Sequence, residues 1–300
     1  MLGSFLLPGA LVTSSETRYH RGRANVVMRP PPIFVVGVPR SGTTLLRMML
    51  DSHPHLMCGP ELPWLSADPD LASLEALTRT LCRGGGGAVR CYEGVDEQVV
   101  AAAARRFTAD LLDAAARAHE KAQWAVKTPK LMLALPFLKG VFPDLRVVHV
   151  LRDGRDVALS TQRCAWRRLW TGERAIRNSY SGALRRWVTW IERFECDSRA
   201  LGIAPYLCRF EQLVTAPEEE MRALLAQLDL EWSERVLSPH DHPHDVDPRP
   251  REGIGAFRRH RGIDPTRAWR WPHELTRAQR RASVRFAEST LHRLGYPPTR

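Results

Sequence analysis

Four short apolar runs punctuate the chain, at Ile33–Val38, Gln123–Val126, Arg146–Leu151 and Pro205–Phe210. Each is too short for a stable helix and is rich in β-branched or aromatic residues, the pattern of a buried strand. Between them the apolar period lengthens to that of a helix. Glu97–Lys121 repeats at Val100, Phe107, Leu111 and Ala115, and Ser179–Leu201 at Trp187, Trp190 and Phe194. Strands alternating with helices build βα units, so the expected fold is α/β: a central parallel sheet flanked by helices.

Local signals sharpen the boundaries. Thr215 with Glu218 reads as a capping box before a helix over Met221–Leu230. Thr276 with Gln279 reads as another, before a helix stopped by Gly295 and Pro297. Arg83–Gly87 is a Gly-rich loop, and Ser238–Pro250 is a loop of Pro, His and Asp. No internal repeat and no Pro/Ser-rich linker divides the chain, which implies a flexible tail over residues 1–29 and one domain over 30–300. The apolar start, Leu2–Val12, contains Pro8 and falls short of the ~20 residues of a membrane span. No membrane span is therefore expected.

Composition narrows the partners without choosing one. At 300 residues with 44% hydrophobic content the chain can bury a sizeable core. Its net charge of +11 favours an anionic partner: a phosphorylated co-substrate, an acidic surface or nucleic acid. Against nucleic acid, no helix-turn-helix, aromatic RNA-binding signature or zinc spacing occurs. The six cysteines form no CxxC pair and no dense framework, which predicts neither a metal site nor a disulfide scaffold and fits a reducing, cytoplasmic setting. His240-Asp-His-Pro-His-Asp245 has metal-like residue types, but Pro243 breaks regular ligand spacing, so no metal is expected.

Chemistry concentrates in three segments. Ile33–Leu46 reads as a strand, a tight turn and a helix beginning near Gly42, and backbone N–H groups at such a helix start bind phosphate or sulfate. Compared with the phosphate-loop pattern GxxxxGK[ST], Gly37, Gly42 and Thr44 match, but Thr43 stands where nucleoside triphosphate enzymes keep Lys. Arg40, Ser41, Thr43 and Thr44 suit a phosphate–sulfate group held without Mg²⁺. In Val147–Ser160 a strand ends at Arg152, turns over Asp153–Gly154 and enters a helix with Asp156 as expected N-cap, so that Ser160 can share an anion with Arg152. Gln123–Lys130 sets Lys127 at the end of another strand. All three then meet at the carboxyl edge of one sheet, where open α/β sheets bind ligands.

Pro39-Arg-Ser-Gly-Thr-Thr44, the eight-residue spacing from Arg152 to Ser160 and Phe210-Glu-Gln-Leu-Val214 together resemble the sulfotransferases that use 3′-phosphoadenosine 5′-phosphosulfate (PAPS). Within that family, Phe34–Glu61 is similar to the tyrosylprotein sulfotransferases and their bacterial relatives. The resemblance implies a phosphate-loop-like sulfotransferase fold, PAPS as co-substrate, no metal, and sulfuryl transfer to a hydroxyl or amine. By position, it implies that Arg40, Ser41, Gly42, Thr43 and Thr44 bind the 5′-phosphosulfate and that Arg152 and Ser160 bind the 3′-phosphate. Glu61 matches the catalytic base, with His53 and His55 the alternatives. Lys127, with Arg40, matches the cations that steady the leaving oxygen. The acceptor is left open among small molecules, glycans, lipids and Tyr peptides, and loops at 62–96, 164–180 and 240–271 are expected to shape its pocket.

Three positions depart from the pattern. Phe210 stands where many relatives have Tyr, Pro60 replaces the first of two adjacent acids, and Arg163 is one position from an expected further 3′-phosphate arginine. A phosphate-loop kinase or NTPase is the alternative reading. The missing loop Lys and the Arg152 strand end, poor at holding Mg²⁺, weigh against it.

Overall fold

Residues 30–65, 73–83, 96–163, 179–244 and 262–300 are described by a computed structural model of the chain. In chain order they form β1 (Ile33–Val36), α1 (Thr43–Asp51), β2 (Leu56–Cys58), α2 (Leu74–Arg83), α3 (Glu97–Ala118), β3 (Gln123–Lys127), α4 (Leu135–Val141), β4 (Arg146–Leu151) and α5 (Gly154–Arg163). There follow α6 (Tyr180–Ala200), β5 (Tyr206–Arg209), α7 (Phe210–Thr215), α8 (Pro217–Gln227), α9 (Trp271–Glu274) and α10 (Arg277–Arg293). The tail at 1–29 and the glycines after Arg83 lie outside the described residues.

The strands pair in the order β2-β3-β1-β4-β5, every pairing parallel. Side chains alternate across a strand, so β1 supplies both faces. Phe34 and Val36 join one core with Trp187, Ile191 and Phe194 of α6, while Ile33 and Val35 join another with Leu46, Met49 and Leu50 of α1 and Met221 of α8. Burial on both faces explains why the strands read as continuous apolar runs.

Several boundaries differ from the sequence expectations. β2 has only three residues, too few to show a period, and was not expected. Phe210 opens α7 instead of closing β5. Thr215 is not a cap: its hydroxyl donates to the Glu211 carbonyl inside α7, and α8 starts on Pro217, whose fixed φ suits a first helical position. Thr276 and Gln279 do form a reciprocal capping box. Val100 is buried as expected, but Phe107 and Leu111 are exposed, and α3 instead buries Ala104, Thr108 and Leu112.

Candidate active site

The strand order makes β3, β1 and β4 consecutive neighbours, so the three motif-bearing strands end at one edge. Val35 pairs with Lys127 and Val36 with His149, which sets the loop after β1 between the ends of β3 and β4. That loop turns through two left-handed residues, Arg40 (φ 81°) and Gly42 (φ 100°). Gly42 is required twice over: its φ disfavours a side chain, and a Cβ would stand 2.2 Å from the Phe210 ring. Gly37 lies so close to β4 that a Cβ would meet the Val150 carbonyl at 2.6 Å. The α1 amino end has no side-chain cap and no acid in its first turn, which leaves its N–H dipoles for an anion. Ser41 is buried there and its Oγ makes no hydrogen bond within the protein.

Arg152 and Ser160 join this loop directly. Arg40 Nε donates to Ser160 Oγ at 3.1 Å, and Arg152 Nη1 donates to the Arg40 carbonyl at 3.1 Å. The Phe210 ring packs against Arg152, its centre 4.2 Å from Arg152 Cζ, so the residue standing in for Tyr packs both Arg152 and Gly42. Burial pulls the Arg152 guanidinium down to about 10, still charged at neutral pH, with Asp156 opposing that pull.

The turn after β4 is held from below. Asp153, not Asp156, precedes α5, and its carboxylate accepts the Arg155 N–H at 2.8 Å. Asp153 and Arg155 form a fully buried ion pair at 2.7 Å, completed by Thr299 Oγ1 and by the Trp271 ring 3.5 Å from Arg155 Cζ. Such a pair is tolerated in a dry core only when its remaining donors are satisfied, as here. Glu211 Oε1 accepts the Asp153 N–H at 2.9 Å and its Oε2 accepts from Tyr296 Oη at 3.3 Å. Asp156 instead accepts the backbone N–H groups of Trp271 (2.8 Å) and Arg270 (3.3 Å), joining α5 to the C-terminal segment.

On the other side, Lys127 Nζ donates to Glu61 Oε1 at 2.7 Å. Thr128 Oγ1 accepts the Leu62 N–H at 2.9 Å, clamping the segment that carries Glu61 onto the end of β3. Burial lowers the Lys127 ammonium below the usual lysine range, and Glu61 is the chief influence in the other direction. Asp51 accepts the Cys58 N–H at 2.8 Å and approaches His244 Nδ1 at 2.6 Å, which ties His244 into the structure. Among the described residues no group of three or more His, Cys, Asp or Glu side chains could hold a metal ion.

Arg40, Ser41, Arg152, Ser160, Lys127 and Glu61 thus gather at one sheet edge, with Gly42, Thr43 and Thr44 on the adjoining helix start. His53 is buried elsewhere: its Nε2 faces the Glu231 carbonyl at 2.8 Å, its Nδ1 accepts the His55 N–H at 3.2 Å, and burial lowers its pKa. Arg163 is engaged in an exposed ion pair with Glu274 at 2.9 Å. Sequence reading missed the roles of Asp153, Arg155 and Thr128. Only the repeated Arg–Asp alternation of residues 152–156 signalled the first two.

Residues 31–234 match the model of the sulfotransferase family. The chain is 32% identical over 210 residues to a protein-tyrosine sulfotransferase 2 of Gallus gallus and 33% over 211 residues to a protein-tyrosine sulfotransferase 1 of Danio rerio. Each match takes in 69% of this chain, but the chain spans about half the length of these curated relatives, 53% and 55%. Among solved structures, the sulfotransferase domain of the Synechococcus PCC 7002 olefin synthase superposes with a TM-score of 0.57 at 22% identity, covering 91% of this chain and 98% of that one. The sulfotransferase domain of the curacin biosynthetic pathway gives 0.58 at 20%, covering 90% and 99%. At these identities the two structures speak for the fold, and the sequence matches speak for the lineage: the chain belongs to the sulfotransferase family.

Proposed function

We propose that the protein transfers the sulfuryl group of PAPS to a hydroxyl or amine, binding the donor along the β1 and β4 strand ends. The observation that carries this reading is the bond from Arg40 to Ser160, which joins a sulfate-type loop to an arginine–serine pair suited to a second, separate phosphate. PAPS has two such anionic groups, one on each side of its ribose. The residues present fit it: Ser41 Oγ and Arg152 Nε are buried donors without a hydrogen bond in the protein, and the α1 amino end is uncapped.

When bound, PAPS supplies a sulfuryl group on a good leaving group, the 5′-phosphate. In the transfer, the S–O bond to that phosphate breaks, an S–O bond to a hydroxyl acceptor or an S–N bond to an amine forms, and the acceptor proton passes to Glu61. Arg40 and Lys127 meet the negative charge that gathers on the departing oxygen, where fixed cations in a dry site act most strongly. The Glu61–Lys127 contact serves this division of labour, since the carboxylate opposes the burial that lowers the Lys127 pKa and so favours the protonated lysine. Both must then open toward their reactants, which is ordinary for a site without substrate.

The alternative nucleotide, ATP, offers a third phosphate and no 3′-phosphate. Titration with 3′-phosphoadenosine 5′-phosphate (PAP) and with ATP therefore tests the donor. Tighter binding of PAP is expected, and equal or tighter binding of ATP would overturn the reading in favour of a kinase or NTPase.

A further inference from the structure

We infer that Thr128 is a positioning residue for the base, keeping Glu61 in place while the reactants draw Glu61 and Lys127 apart. The inference rests on the transfer proposed above, with Glu61 as the group that takes the acceptor proton. It starts where strand pairing stops. β2 pairs with β3 as far as Cys58 opposite Ala125, whereas β3 runs on to Lys127. Pro60 has no N–H with which to extend that ladder, so the segment carrying Glu61 is attached to the sheet by other means.

Two bonds from backbone to side chain bracket Glu61. Upstream, Asp51 Oδ1 accepts the Cys58 N–H at 2.8 Å, and downstream Thr128 Oγ1 accepts the Leu62 N–H at 2.9 Å. The second is the nearer, since the Leu62 nitrogen shares a peptide group with the Glu61 carbonyl. Thr128 is itself fixed: it is 3% exposed, its backbone is extended (φ −137°, ψ 104°), and its carbonyl accepts the Leu131 N–H at 3.0 Å in the turn Pro129–Leu133. On the other side, the Leu62 carbonyl accepts the Leu65 N–H at 3.1 Å, and Leu65 is fully buried. The hydroxyl and the peptide it holds are both anchored in the core.

Successive residues at one strand end therefore grip Glu61 in two ways. Lys127 holds its carboxylate at 2.7 Å, and Thr128 holds the peptide that follows it. Only the first grip uses reacting groups. As Glu61 turns to the acceptor proton and Lys127 to the departing oxygen, their contact is given up, whereas the Thr128–Leu62 bond involves neither and persists. A base must stay within about 2.6–3.2 Å of the proton it takes, and rate falls steeply when its backbone drifts. Thr128 limits that drift without touching either substrate.

The test is a double-mutant cycle on the full chain, measuring kcat and the KM for PAPS with the acceptor that wild type uses best among phenols, sugars, lipid alcohols, amines and Tyr peptides. Thr128→Val keeps the branched shape and removes the accepting oxygen, so it should lower kcat by about tenfold to a hundredfold and change the KM for PAPS by less than about twofold. Thr128→Ser restores the hydroxyl and should stay within about threefold of wild type. In a Glu61→Gln background, Thr128→Val should cost less than about twofold, because no base is left to place. A threonine that merely supports the fold would lower turnover alike in both backgrounds. That result, a wild-type kcat in Thr128→Val, or a Thr128→Ser as slow as Thr128→Val overturns this inference alone. If Thr128→Val melts below the assay temperature, Thr128→Ala takes its place in the cycle under the same criteria. Wild-type turnover in Glu61→Gln overturns the assignment of the base, and no transfer from PAPS by wild type overturns the proposed function; either takes this inference with it.

Discussion

Lys127 Nζ lies 2.7 Å from Glu61 Oε1, so the residues assigned to the leaving oxygen and to the acceptor proton are each other's partner before substrates arrive. Glu61→Gln and Lys127→Ala should therefore both reduce kcat, Glu61→Gln by about 10²–10⁴-fold, with little change in PAPS affinity. Steady-state rates against PAPS titrations separate the two effects. Unchanged turnover in Glu61→Gln would remove Glu61 from the reaction.

The pair also sets a pH dependence. Lys127 acts when protonated, and burial has lowered its pKa below the usual lysine range, so kcat should fall on the alkaline side earlier than an exposed lysine would allow. Glu61 is the main influence holding that pKa up. Residual turnover in Glu61→Gln should therefore have its alkaline limb displaced to lower pH, measurable as a pH–rate profile. A limb that stays in place would detach it from Lys127.

Arg152 and Ser160 should rank by charge. A charge-assisted contact is worth about 1.5–3 kcal/mol and a neutral one about 0.5–1.5 kcal/mol, so Arg152→Ala should weaken PAP by about tenfold to a hundredfold and Ser160→Ala by less. ATP binding should respond weakly to either substitution. Titration of both nucleotides checks the order.

His149 predicts acid sensitivity of the fold. It sits inside β4 with its ring centre 4.4 Å from Phe194, and burial lowers its pKa from 6.5 to about 4. The unfolded chain thus takes up this proton more readily than the folded one. The stability tied to neutral His149 is fully present above about pH 6.5, falls as pH drops toward about 4, and amounts to roughly 3 kcal/mol. Urea unfolding at pH 7.5 and 4.5 should show a smaller loss in His149→Leu than in wild type.

Two glycines should answer oppositely to alanine. At Gly154 a Cβ would stand 2.6 Å from the Trp187 ring, whereas at Gly140, inside α4, nothing lies within 4 Å. Gly154→Ala should destabilise by about 1–3 kcal/mol through overpacking. Gly140→Ala should stabilise by about 0.5–1 kcal/mol through helix propensity. Thermal melts of the two variants decide.

What could be read from the sequence follows from range. The buried strands announce themselves because both faces of β1 and β4 are apolar, and the loop at Arg40–Thr44 announces itself because Gly42 takes a left-handed φ that favours glycine. Strand order was not legible, yet it is what makes β3, β1 and β4 neighbours. Glu211 with Tyr296, Thr128 with Leu62 and Asp156 with Trp271 are joined across 85, 66 and 115 residues, so no local pattern could disclose them. Asp156 shows the hazard: its type suits a helix cap, but tertiary contacts give it another task. Phe107 shows the converse, an apolar residue in helical period that the fold leaves outside.

The most direct test of the proposed reaction is transfer of labelled sulfate from PAPS, in EDTA, across phenols, sugars, lipid alcohols, amines and Tyr peptides, with wild type beside Glu61→Gln. The account predicts PAPS-dependent label in at least one acceptor class, unaffected by EDTA and lowered at least about a hundredfold by Glu61→Gln. Label from PAPS in none of them, with phosphate transferred from ATP in the same panel, would contradict it.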